Sequence, residues 1–278
     1  MLQHALVRMA GDLGVVPEGD AVSGWHDRSI GTLVSRGEER FWLRLAWARP
    51  EWARGMWWTG NADSSVLVGI PKPAVIEVAE QVQGPVVVRA ELMSLVGGSP
   101  AAPESVLRAE AAVDEEWWLG LQTGLAALAS TPTTRRALDP DGVRRRIAVF
   151  FGVDLDVDQG RWVASHGDLH WNNLHTGPLG ILDWEAWGLA PRGYDAAFLL
   201  CHSLAVPAVA AEISRRFHDD LGTEDGLVAQ LHVLTRLLTR ADGGENPDLV
   251  EPLHRHADSL LGRIRTRRTH PSHQGENA

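Results

Sequence analysis

One stretch limits the folds open to this chain more than any other. Ser165-His166-Gly167-Asp168-Leu169-His170-Trp171-Asn172-Asn173-Leu174 is followed by Gly180-Ile181-Leu182-Asp183-Trp184-Glu185. It reads as a loop and then a short hairpin, because Gly167 and the Asn172-Asn173 pair make a helix unfavourable. Asp168 and Asn173 are five positions apart, and Asp183 stands ten positions after Asn173, at the end of the apolar run Ile181-Leu182. An acid, an amide and a second acid so arranged suit phosphoryl transfer: one carboxylate orients and deprotonates a hydroxyl, while the amide oxygen and the other carboxylate hold magnesium against nucleotide phosphates. The plainer readings are an Asx-turn for Asp168 and a helix cap for Asp183. They account for each acid singly and not for the set.

The formal charge of −10, from 26 basic and 36 acidic residues, argues against nucleic acid or an anionic membrane as the main partner and is compatible with a cationic substrate. A single cysteine, Cys201, excludes an intrachain disulfide and reads as a small buried residue beside Leu199 and Leu200. Residues 1–13 lack a secretory pattern, and no apolar run is long enough to span a bilayer, so a cytoplasmic location is expected. Twelve tryptophans are expected mostly in core or pocket walls.

Residues 1–20 read as a poorly patterned N-terminal segment. Two strands follow, Ser29–Ser35 and Arg40–Trp47, around a turn at 36–39, with Phe41, Leu43 and Leu45 on one face. A short helix is expected over residues 50–60. A second strand pair, 75–80 and 86–93, precedes the break Gly97-Gly98-Ser99-Pro100. From residue 104 the pattern turns helical. Trp118, Leu121, Leu125 and Leu128 form one stripe, and Leu227, Leu231, Leu234 and Leu238 form another. Pro140-Asp141 opens a helix closed by Gly152, Tyr194–Leu204 reads as a buried helix, and Asn246-Pro247 starts a last one. The expected organisation is α+β, with a strand-rich N-terminal lobe over residues 1–98, a larger helical lobe over 99–264 and a disordered tail over 265–278.

The motif residues over 160–200 resemble the aminoglycoside phosphotransferase family, which has the bilobal protein-kinase-like fold. The resemblance implies an ATP- and magnesium-dependent enzyme that phosphorylates a hydroxyl of a small, aminoglycoside-like molecule, with nucleotide between the lobes and the acceptor against the helical lobe. It makes Asp168 the catalytic base, Asn173 and Asp183 the metal ligands, His166 a brace of the catalytic loop and Asp195 a structural acid. Glu185 and Trp187 follow the metal Asp and are candidates for the acceptor pocket, where Glu185 would attract a cation; Glu185 as a solvated acid and Trp187 as core are the plainer readings. A metal site built from His166, His170 and His175 is a rival reading.

The chain departs from the family pattern in its first lobe. Kinase-like enzymes place a lysine on the third strand. Here Arg44 is the nearest cation, with Glu51 as a candidate partner, and the single lysine, Lys72, sits between prolines. Gly24–Gly31 lacks G-x-G-x-x-G, so Ser29 or local N–H groups would meet phosphate. Glu91-Leu92-Met93 is the expected hinge that holds the adenine. The runner-up reading is a nucleotide-binding protein of the same fold with little transfer activity.

Overall fold

The computed structural model describes residues 2–269, with side chains to residue 266. Helix α1 (Leu2–Asp12) leads to short strands β1 (Val16–Pro17) and β2 (Val22–Ser23), then to long strands β3 (Ser29–Arg36) and β4 (Glu39–Ala48). Next come α2 (Met56–Asp63), β5 (Val75–Gln83), β6 (Val86–Ser94), β7 (Ser99–Pro100), α3 (Glu115–Ala129) and α4 (Pro140–Phe151). Short strands β8 (Val163–Ser165), β9 (Leu174–Thr176), β10 (Gly180–Ile181) and β11 (Gly188–Ala190) precede the helices α5 (Tyr194–Cys201), α6 (Pro207–Arg216), α7 (His218–Leu221), α8 (Glu224–Asp242) and α9 (Val250–Thr269).

These elements form two compact units, each discontinuous in sequence. One comprises residues 1–101, 113–137 and 173–187, and the other 102–112, 138–172 and 188–278. The segments 113–137 and 173–187, which follow the expected boundary after residue 98, therefore cluster with the N-terminal strands.

The first unit is built on an antiparallel sheet in the order β1-β3-β4-β6-β5, with β2 also paired to β3. Alternation along the strands puts Leu43 and Leu45 of β4 and Val88, Ala90 and Leu92 of β6 in a common core, all fully buried. Ala5, Leu6, Met9 and Ala10 of α1 pack into the same core. The first twenty residues were expected to be unpatterned. Those four side chains recur one turn apart, which gives α1 its buried face. The helix expected over 50–60 instead begins at Met56 and ends at Asp63. Gly55, at φ +80°, breaks the backbone just before it, so helical geometry starts only after that residue. Strands β9 and β10 form a hairpin pairing Leu174 with Ile181, and β9 also pairs with β7.

In the second unit β8 pairs with β11, matching Ser165 to Gly188. Every residue of α5 is buried, and α8 packs against it with Leu227, Leu231, Leu234 and Leu238 inside. Helix α4 opens with the Asp139 side chain accepting the Gly142 N–H and closes at left-handed Gly152, as its sequence signals predict. Cys201 is buried at the end of α5. Of the tail expected to be disordered from residue 265, residues 265–269 continue α9, and 270–278 lie outside the described residues.

Candidate active site

The second unit holds Asp168 on the loop that leaves β8. Gly167 turns the chain at φ +83°, a conformation that costs a side-chain-bearing residue about 1 kcal/mol or more. Asp195, in the first turn of α5, then fastens the loop: its two carboxylate oxygens accept the N–H groups of His166 at 2.8 Å and Gly167 at 2.9 Å. The acid at a helix N-terminus also meets the favourable end of the helix dipole. Burial pushes the Asp195 carboxyl above its ordinary value, while His166 and the two N–H bonds work the other way.

His166 has no solvent exposure, and its Nδ1 accepts the Asp168 N–H at 3.3 Å. Farther along, Trp171 donates from Nε1 to Ser203 Oγ at 2.7 Å, and Leu169 and Trp171 are fully buried. Asn172 donates to the carbonyls of Ala102 and Pro103 at 3.2 and 3.1 Å, so its amide is occupied in holding the loop.

The Asp168 carboxylate faces His170 Nε2 at 3.6 Å and Arg236 Nη2, from α8, at 3.5 Å. Burial works to raise the acid, yet the charges around it, Arg236 among them, hold it below the usual carboxylate range. It is thus ionised at neutral pH, with a side chain about one quarter exposed. Arg236 is itself held, Nη1 donating to Tyr194 Oη at 3.2 Å and to the Gly167 carbonyl at 3.4 Å, with the guanidinium 4.8 Å from the Phe198 ring centre. Sequence reasoning missed Arg236, because nothing in the α8 stripe marks which polar position meets Asp168.

The first unit holds the two expected metal ligands at one end of the β9–β10 hairpin. Leu182 N–H donates to the Asn173 carbonyl at 2.8 Å, which sets Asn173 across from the residue preceding Asp183. Asp183 takes left-handed geometry, φ +62°, which is uncommon for a residue with a side chain and is typical of sites where function sets the backbone. One amide oxygen and one carboxylate suit Mg²⁺, which keeps several waters and relies on phosphate oxygens for the rest of its shell. The rival histidine–acid centre has no counterpart: among the described residues no group of three His, Cys, Asp or Glu is placed to hold a metal. His175 lies on β9, its Nδ1 3.1 Å from the Gly97 carbonyl.

Arg44 lies opposite Glu91 in the β4–β6 register. Its guanidinium meets Glu185 at 2.5 Å, Glu91 at 3.5 Å and Asp183 at 3.8 Å. Burial opposes its charge, but Glu185, Asp183 and Glu91 outweigh that and hold Arg44 firmly protonated. Glu51, the partner expected from the sequence, does not pair with it: Glu51 lies beyond the end of β4, whereas Glu91 is directly across the sheet. The Glu91 carboxylate, 2% exposed, is further engaged by Asn61 at 2.8 Å and Arg89 at 3.0 Å. Asn61 also accepts the Trp184 N–H at 2.8 Å, which ties α2 to the segment after Asp183. Burial pushes Glu185 up to about 7, offset in part by Arg44 and reinforced by Asp183.

Met93 is buried opposite Trp42, and β6 continues to Ser94, so the connecting segment begins after the expected hinge triplet. Ser29 starts β3, paired with Ala46, and its carbonyl accepts the Gly24 N–H at 2.9 Å. Trp187, 3% exposed, is a core residue that donates to the Gly60 carbonyl at 3.0 Å. Arg135 binds the Trp187 carbonyl at 2.5 Å and Asp63 at 2.7 Å, stacking 5.0 Å from the Trp187 ring. No local signal marks this clamp, since Trp187 and Asp63 lie 52 and 72 residues from Arg135.

Residues 145–228, which include Asp168, Asn173, Asp183 and Asp195, match the model of the phosphotransferase enzyme family. A comparison with curated proteins finds no match. Among solved structures, a thermostable mutant of aminoglycoside phosphotransferase APH(4)-Ia in a ternary complex with ADP and hygromycin B is 11% identical, covering 92% of this chain and 97% of its own, at a TM-score of 0.61. Spectinomycin phosphotransferase APH(9)-Ia, in complex with ADP and spectinomycin, is 14% identical, covering 91% and 93%, at 0.50. A putative fructosamine-3-kinase from Haemophilus somnus is 12% identical, covering 92% and 97%, at 0.50. At these identities the likeness is one of fold, and the fold is the kinase-like one that the motif residues led us to expect.

Proposed function

From a phosphotransferase-family segment at residues 145–228 set in a kinase-like fold, we propose that this chain moves the γ-phosphoryl group of ATP to a hydroxyl of a small molecule. The observation that carries the reading is the placement of Asp168: a partly exposed carboxylate on a loop fastened by Asp195. In the reaction the acceptor oxygen forms a bond to the γ-phosphorus as the bond from that phosphorus to the β,γ-bridging oxygen breaks. The acceptor proton passes to Asp168, and ADP leaves with the bond's electron pair.

Asn173 and Asp183 would hold magnesium. A bound ion neutralises phosphate charge and favours an in-line approach. Arg44 would take the part of the kinase lysine as a fixed cation of the first unit, and Glu91 and Glu185 hold its fork in place. His166 and Asp195 position the base through the loop backbone and do not touch substrate. The ADP complexes of the structurally similar enzymes support a nucleotide as donor, and their second ligands, hygromycin B and spectinomycin, support a hydroxylated small molecule as acceptor. A nucleotide binder without transfer activity gains no support, since the base is ionised and both metal-ligand types are present.

The test is ATP-dependent phosphorylation by the purified chain with magnesium and a panel of hydroxylated acceptors. Phosphorylated acceptor and stoichiometric ADP are expected. Tight Mg-ATP binding with no transfer to any acceptor would overturn the reading.

A further inference from the structure

The surroundings of Asp168 bear on the charge of the acceptor. Its own loop contributes His166 and His170. From α5 and the turn after it come Tyr194, Asp195 and His202, and from α8 come His232, Arg236 and Arg240. Burial lowers the histidines at 170, 202 and 232 below their ordinary value, so these imidazoles are neutral. Among the charged groups these contacts name are Arg236, Arg240, Asp168 itself and Asp195, whose oxygens accept the loop N–H groups.

A polyamine acceptor would need carboxylates here to match its ammonium groups. Three acids of the neighbouring helices are instead engaged with arginines: Glu212 with Arg215 and Arg216, Asp220 with Arg192, and Asp225 with Arg161. Glu185, expected from the sequence to attract a cation, is bound to Arg44 at 2.5 Å within the first unit. These four acids are therefore already matched by arginines of the chain.

Arg236 offers the opposite charge in a prepared form. Tyr194, the Gly167 carbonyl and the Phe198 ring hold the guanidinium from behind, while about one quarter of the side chain remains exposed beside the similarly exposed Asp168. A guanidinium has five N–H donors in a planar fork matched to carboxylate and phosphate oxygens. We propose that Arg236 binds an anionic group of the acceptor, so that the acceptor is a hydroxyl compound carrying a carboxylate or phosphate and not a polycation. This rests on the reading of Asp168 as the base that receives the acceptor's proton.

The experiment measures binding and transfer separately on the full chain. Glycerate, gluconate and glucose 6-phosphate are compared with glycerol, sorbitol and the aminoglycoside kanamycin, in wild type, Arg236→Gln and Arg236→Lys. Binding is followed by thermal shift with a non-hydrolysable ATP analogue and magnesium, and transfer by kcat/KM. At least one anion should exceed its neutral counterpart by roughly tenfold or more, the scale of one charge-assisted hydrogen bond, in wild type. Arg236→Gln should erase that ratio, Arg236→Lys should restore part of it, and the affinity for the ATP analogue should stay unchanged in both.

Kanamycin or the neutral polyols binding best, or an anion preference surviving in a folded Arg236→Gln, would overturn the inference. Selective anion binding that Arg236→Gln abolishes, without transfer to any acceptor, would uphold Arg236 as the anion site while refuting the phosphotransferase reading.

Discussion

Replacing Asp195 by Asn is nearly isosteric, so its effect isolates the brace beneath the Asp168 loop. Asp195 is 7% exposed, and its two oxygens each accept one backbone N–H, from His166 and Gly167. An amide has one acceptor oxygen, so one bond survives at neutral strength. The other is replaced by an NH₂ facing an N–H donor with little access to water. A charge-assisted bond contributes ~1.5–3 kcal/mol net, and a stranded buried donor costs ~1–3 kcal/mol. Relief of the buried charge, which holds the Asp195 carboxyl above its ordinary value, offsets part of this loss.

The balance is a destabilisation of roughly 2–4 kcal/mol, or about 3–7 °C in Tm for a chain of this size. Urea and thermal denaturation with magnesium and an ATP analogue measure it, and transfer assays should show kcat falling more than the nucleotide KM rises. An Asp195→Asn protein with unchanged Tm and full kcat would refute the brace.

Other consequences follow from the same geometry. His202 is fully buried and lowered to about 3 by that burial, so the unfolded chain binds its proton first as pH falls; stability is fully present above about pH 6.5 and is lost toward pH 3. His202→Phe should shrink that acid loss by an amount on the order of 3–4 kcal/mol, read from denaturation midpoints at pH 7 and pH 4; an unchanged difference would contradict the buried neutral imidazole. A Cβ at Gly60 would stand 2.5 Å from the Glu185 carbonyl oxygen and 2.6 Å from that of Trp184, so Gly60→Ala should destabilise by ~1–3 kcal/mol in urea titrations. Asp183→Asn keeps a residue type that tolerates positive φ but removes the charge; Mg-ATP affinity by calorimetry should drop about tenfold or more with Tm little changed, and undiminished affinity would remove Asp183 from the metal site.

How much of this was legible in the sequence depended on how local each determinant is. The loop around Asp168 carries its own turn residue and its own acid, and the leucine stripe of α8 carries its own period, so both appear where expected. The brace by Asp195 acts across 29 residues, and the likeness of the motif supplied it. What spacing could not supply is pairing set by tertiary register. Arg44 meets Glu91 because β4 and β6 align them, 47 residues apart, and not the nearer Glu51. Arg236 reaches Asp168 across 68 residues because α8 packs on α5. Overall acidity is compatible with a cationic substrate, but net charge does not say which acids are already paired, as Glu185 is with Arg44. Helix α1 was missed because small and large apolar residues in adjacent pairs give a weak periodic signal over so short a segment.

The central claim concerns one carboxylate, and single-turnover phosphoryl transfer from Mg-ATP to an accepted alcohol, in wild type and Asp168→Asn, tests it most directly. The account predicts a loss of about 10²–10⁴-fold in the transfer rate with Mg-ATP affinity essentially retained. An Asp168→Asn protein that transfers at near wild-type rate would contradict it.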